Sequence, residues 1–206
     1  QFVAVDGDTL HYSKEWRFFP DFLSDYIKDV LAGEWGNAEI AKPIEERHPI
    51  MQWYDAYCSF QQANEKREDG TYVANATGVV YCYLGLAYNL YLLKRNVELQ
   101  ERFVARLKNR EQFQGAYYEL IVANCLIRAG FELTLEDETD EASKHCEFSA
   151  ISKQTGKKFW VEAKMRSISG LLGKTEADGA PDTSKPTAQL SKHLNQALKK
   201  PADDER

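Results

Sequence analysis

Four cysteines, at positions 58, 82, 125 and 146, are all this chain has, and no pair shows the CxxC spacing of a zinc knuckle or a redox motif. Cys58, Cys82 and Cys125 fall inside apolar helical patterns and read as buried thiols in a reduced, cytoplasmic compartment. Histidine is as scarce, at 11, 48, 145 and 193, with no HxxxH spacing, so a histidine-built metal site is not expected. That includes His145, despite its nearness to Glu147. Gly170 to Gly173 lacks the glycine spacing and the following Lys-Ser/Thr of a phosphate loop, and no serine sits in a GxSxG elbow. No signal peptide is visible, and no apolar run reaches the roughly 18 residues of a membrane span. The richest run, Val79 to Leu93, is interrupted by Asn89. The chain also lacks the positive surplus of a protein that coats nucleic acid through bulk charge, since its net charge is -6.

What is present is the composition of a globular protein, 43% apolar and 12% aromatic over 206 residues, enough for one large domain or two small ones. Charge is unevenly placed. Ser152 to Lys200 holds ten Lys and Arg against four Asp and Glu, while Glu136 to Glu141 is acidic. The basic stretch reads either as a solvated surface or as an edge facing phosphate. The chain opens on Gln1 without Met and closes in the charged string 201–206, so both ends are expected to be cuts in a longer protein.

Residues 1–110 read as helices. Pro20 to Leu31 carries Pro near its start, apolar positions at 22, 23, 27, 30 and 31, and Gly33 just past its end. Ile50 to Ala63, the nearly all-apolar Gly78 to Lys94 and the amphipathic Val97 to Asn109 follow, with a charged turn at Lys66 to Gly70. From Glu111 the pattern changes. Phe113 to Ala129 is a helix ended by Gly130. Phe131 to Leu135, Cys146 to Ser152 and Lys158 to Met165 are strands, the last two joined by a hairpin turn at Gln154 to Lys157. Ser167 to Pro186 is a long loop rich in Gly, Ser, Thr and Pro, expected to close over substrate. Thr187 to Lys199 is a last helix with Leu190, Leu194, Ala197 and Leu198 inward. Helix, three-strand meander and helix after a helical region is an α+β arrangement.

The last strand carries the chemistry. Side chains alternate along it, so Phe159, Val161, Ala163 and Met165 pack inward, and Glu162 and Lys164 share the other face, about 7 Å apart. Alone, such a pair is usually an exposed ion pair. The hairpin sets the preceding strand alongside and lets Glu147 approach Glu162. Glu119 lies among Gly115, Ala116, Leu120 and Ala123. A carboxylate in such surroundings either turns to solvent or is paired or metal-bound, because burying it alone is costly. Carboxylates and a lysine brought together suit phosphodiester hydrolysis with a divalent cation, which activates water and offsets charge in the transition state.

The run Gly115-Ala116-Tyr117-Tyr118-Glu119, then Gly130-Phe131, Glu147-Phe148 and Val161-Glu162-Ala163-Lys164, resembles the PD-(D/E)XK restriction-endonuclease-like superfamily over about residues 113–200. The resemblance implies a nuclease-like domain at 111–206 after a helical domain at 1–110. It implies Mg2+ or Mn2+ held by Glu147, Glu162 and the Ala163 carbonyl. Lys164 would position the water, and Glu119 would hold a metal-bound water or a second metal. Arg166, Lys192 and Gln196 would contact the nucleic acid, expected to be DNA. The chain departs from the family pattern in two ways. Glu147 stands where Asp is usual, after Cys146 rather than Pro, with Asp140 a possible substitute, and no strand follows the last helix. The alternatives are a catalytically inactive nuclease fold that binds nucleic acid or a partner protein, and a helical interaction protein with incidental carboxylates. The helical half is expected to support a homodimer or to sense a partner.

Overall fold

The computed structural model describes residues 2–6, 9–65, 67–68, 71, 73–94, 96–135, 148–164, 192 and 194–195. It is a mixed α+β protein. The predicted helices appear as α1 (Phe19–Leu31), α3 (Pro49–Ala63), α4 (Gly78–Leu93), α5 (Val97–Lys108) and α6 (Phe113–Arg128). Between them lie α2 (Gly33–Ile40) and a short 3-10 turn (Ile44–Glu46). The chain starts with a hairpin of β1 (Phe2–Asp6) and β2 (Thr9–Ser13) and ends its described sheet with β3 (Phe131–Leu135), β4 (Phe148–Ser152) and β5 (Lys158–Val161).

The helix starts follow from capping chemistry. Asp21 accepts hydrogen bonds from the backbone N–H groups of Arg17 (2.8 Å) and Phe18 (2.9 Å), and Pro20 sits in the first turn of α1. His48 caps α3 through Nδ1, which accepts from the Ile50 N–H at 3.3 Å. Asn96 Oδ1 caps α5 by accepting from the Leu99 N–H at 3.1 Å. Asn109 Oδ1 accepts from the N–H groups of Glu111 and Gln112 where the chain turns from α5 into α6.

α4 is the central helix, as its apolar circumference predicts: it packs against α1, α3, α5 and α6. One buried cluster includes Phe22, Ile27, Trp53, Leu86, Leu90, Phe103, Leu107, Phe113 and Leu120 and continues to Leu133, Phe148 and Ala150 of the sheet. The core therefore runs across residue 110. The sheet has the order β3-β4-β5, antiparallel throughout, with Leu133 opposite Ala150 and Phe148 opposite Val161. Its apolar face covers α6, which packs against β3. Gly130 ends α6 at φ +85°, donating its N–H to the Ile127 carbonyl, and Gly156 (φ +69°) makes the β4–β5 turn, donating to Ser152 O at 2.8 Å.

The structure corrects several expectations. The first residues form a hairpin, not a helix; the aromatic and β-branched run Phe2-Val3-Ala4-Val5 and the Gly7-Asp8 pair are a strand-turn signal. Gly33 does not end α1 but opens α2, and the reversal is taken by Ala32 at φ 66°, ψ 126°. An L-residue pays about 1–2 kcal/mol for such a positive φ. Cys125 is exposed, because α6 turns that face away from α4 and the sheet, while Cys58 and Cys82 are half-buried; none of the three is in a disulfide. Phe159 is 48% exposed rather than inward; it lies on β5, the strand farthest from β3, with its ring against the Phe131 ring edge, 5.9 Å away. Leu194 is 58% exposed, not inward. The expected loops 136–144 and 167–186 lie outside the described residues, as does most of the expected last helix and of the turn 66–70. No described helix is long and apolar enough to cross a membrane.

Candidate functional site

Two charged pairs hold the described residues of the predicted site. The first joins α5 to α6. Arg106 occupies the last turn of α5 and Glu119 the second turn of α6, and the tight Asn109 turn folds one helix back on the other. Arg106 Nη2 donates to Glu119 Oε1 at 2.9 Å, and Nη1 donates to Oε2, a two-pronged guanidinium–carboxylate contact. Glu119 is 6% exposed, while a third of the Arg106 side chain reaches solvent. Glu119 is thus neither solvent-facing nor bare: its burial is compensated by Arg106. Gly115, one turn earlier, lies beside the carboxylate: a Cβ there would sit 3.6 Å from Oε1, an ordinary contact.

Arg106 is the residue that sequence reasoning passed over. The signal was available: it stands seven residues after Leu99 and three after Phe103, on the apolar stripe of α5 rather than its solvent face. A cation there needs an anion on the facing helix.

The second pair lies just past β5. The described pairing of β5 with β4 reaches Val161 opposite Phe148; Glu162, Ala163 and Lys164 follow it, and Met165, the end of the expected strand, lies outside the described residues. Lys164 Nζ is 2.5 Å from Glu162 Oε1, close enough for an ion pair but off the direction of a hydrogen bond. The Glu162 side chain is 8% exposed and that oxygen is shielded from solvent, whereas the lysine is 40% exposed. Ala163 is buried between them. This is therefore no ordinary surface ion pair: its acid is inside and its base can still reach solvent.

The structure brings Glu162 and Lys164 together and gives Glu119 to Arg106. Glu147, Asp140, Arg166 and Gln196 lie outside the described residues. Lys192 is on helical backbone and exposed. Among the described residues no group of three or more His, Cys, Asp or Glu side chains is placed to hold a metal ion. A scan of protein-family models and searches of curated proteins and solved structures found no match. The reading of the site therefore rests on its own chemistry.

The oxygen donors here stand as two separate pairs: Glu119 on Arg106, and Glu162 on Lys164 beside the buried Ala163. Each carboxylate already has a positive partner, so a cation entering beside Glu162 would displace or share with the Lys164 ammonium.

Proposed function

We propose that residues 111–206 form a metal-dependent phosphodiesterase of the PD-(D/E)XK type, acting on nucleic acid, with DNA the expected substrate. The observation that supports this most is the Glu162–Lys164 pair, a solvent-shielded carboxylate with a reachable ammonium 2.5 Å away, set where β5 leaves a meander packed on α6. The order helix, strand, strand, strand with Glu-x-Lys at the end is the order in which the superfamily arranges its site.

In this reading Glu162, the Ala163 carbonyl and Glu147 hold Mg2+ or Mn2+. When bound, the cation supplies Lewis acidity toward phosphate and water. Lys164, released from Glu162, turns its Nζ to donate to a phosphate oxygen or to orient the attacking water. Glu119 would hold a metal-bound water or a second metal, which requires Arg106, whose guanidinium takes both its oxygens, to give way. Arg166, Lys192 and Gln196 contact phosphates, in keeping with the basic balance of residues 152–200.

A second reading keeps the fold and drops the catalysis, leaving a module that binds nucleic acid or a partner protein. The Arg106–Glu119 contact favours it, since both oxygens of Glu119 are already taken. The test compares the full chain with Glu162→Gln on single- and double-stranded DNA, with Mg2+, with Mn2+ and with chelator. Cation-dependent cleavage lost in the variant supports the enzyme. Binding without cleavage under every condition selects the nucleic-acid-binding form of the second reading, and neither binding nor cleavage removes both the enzyme and that form, leaving the module that binds a partner protein.

A further inference from the structure

A cavity of about 160 Å³ lies between α1, α2 and α3, away from both charged pairs. Its walls are mainly apolar and aromatic, including Ile50, Met51, Trp35, Tyr54 and Tyr83. The space is a cleft open to solvent along α2, where Ala32, Gly33 and Ile40 are exposed, over a floor of buried Ile50, Met51 and Tyr83. Its volume is close to that of an apolar site known to admit a single benzene ring.

Two small residues, Ala32 and Gly36, shape this space. Ala32 lines it in a positive-φ conformation that an L-residue rarely adopts, although Gly33 beside it could have taken that role without strain. Strained positions of this kind persist where the surroundings over-determine them. Gly36, half-buried in α2, also lines the space, and a Cβ built on it meets no heavy atom within 4 Å. A larger residue would fit there and improve the helix, yet glycine stands in its place.

The single ionic group on the wall is Lys28. Its ammonium is held by Asp25 at 2.9 Å and lies 5.8 Å from the Tyr54 ring centre. With that charge already balanced, the lining selects a neutral guest. Trp35, Tyr54 and Tyr83 offer ring faces and edges suited to another aromatic ring.

We propose that this cavity is a binding site for a neutral ligand bearing one aromatic ring. Met51 reports on it directly. The chain has two methionines, Met51 and Met165, so a methyl-labelled sample gives a two-line NMR spectrum that Met165→Leu assigns. Toluene is the probe. Titrated into the full chain, it should move the Met51 methyl signal upfield in a saturable way, through the ring current. Gly36→Leu fills the space and should weaken binding by at least about tenfold, with Gly36→Ala falling between. Cyclohexane should compete with toluene less well than phenol does. The absence of a saturable shift in the unaltered chain overturns the proposal whatever the variants do. So does a shift that survives in folded Gly36→Leu, or one produced only by peptides with a phenylalanine side chain.

Discussion

Replacing Arg106 by Met keeps most of its aliphatic bulk and removes the charge that Glu119 faces. Glu119 is 6% exposed, so its carboxylate cannot recover hydration without moving. Breaking a fully buried pair from one side costs about 3–5 kcal/mol. Arg106 is itself a third exposed, and water can enter where its head stood, which lowers the expected loss to about 2–3 kcal/mol. Glu119→Gln should cost less, about 1–2 kcal/mol, because the amide oxygen still accepts from the guanidinium. Removing both charges with Arg106→Met and Glu119→Met should return the protein to within about 1 kcal/mol of the original, since well-packed apolar replacements of buried pairs are close to neutral. Urea unfolding of the parent, Arg106→Met, Glu119→Met and the double variant closes the cycle, with a coupling of at least about 1.5 kcal/mol. Magnesium adds a second reading. If Glu119 takes part in a cation site, Mg2+ at 100 times its dissociation constant should restore about 2.7 kcal/mol to Arg106→Met. A single Arg106→Met variant as stable as the parent would refute the reasoning, because it would mean that the buried carboxylate never needed the arginine.

Two other features make measurable predictions. Burial drives the His48 pKa down from 6.5 to about 4, with Arg110 and Lys42 adding to the fall and Glu39 opposing it. Its stabilising contribution is therefore complete above pH 6.5 and is lost as pH drops toward 4, about 3 kcal/mol in all. Nδ1 must stay unprotonated to cap α3, so unfolding free energies at pH 7.5 and 4.5 should differ by markedly less in His48→Asn than in the parent; an unchanged difference would contradict the assignment. Ala32→Gly should stabilise by up to about 1 kcal/mol, strain relief outweighing the added chain entropy, and raise Tm by about 2–4 °C; a fall in Tm would show that the φ of 66° is not a strained one.

Helix periodicity carried most of the architecture. The apolar stripes of α1, α3, α5 and α6 and the apolar girth of α4 were readable because burial follows the 3.6-residue repeat, and Gly130 and Gly156 marked the turns they make. The β1–β2 hairpin was missed because its strands are five residues each beside a long helical run, and a two-residue turn is a small signal against that background. The Ala32 reversal was illegible: a sequence with Gly33 next to Ala32 points to the glycine, and only packing decides that the alanine bends. At the site, the closeness of Glu162 and Lys164 was legible in their spacing of two residues just past a strand. Arg106 was overlooked since a basic residue on an amphipathic helix is usually read as solvated, and its partner sits 13 residues away on another helix.

The most direct trial of the cation site is manganese anomalous scattering from crystals of the full chain grown with DNA. The account predicts a peak about 2.1 Å from a Glu162 carboxylate oxygen and from the Ala163 carbonyl, with the Lys164 ammonium moved off Glu162 toward a phosphate. A lattice rich in manganese that shows no peak there, with Lys164 still 2.5 Å from Glu162, would contradict it.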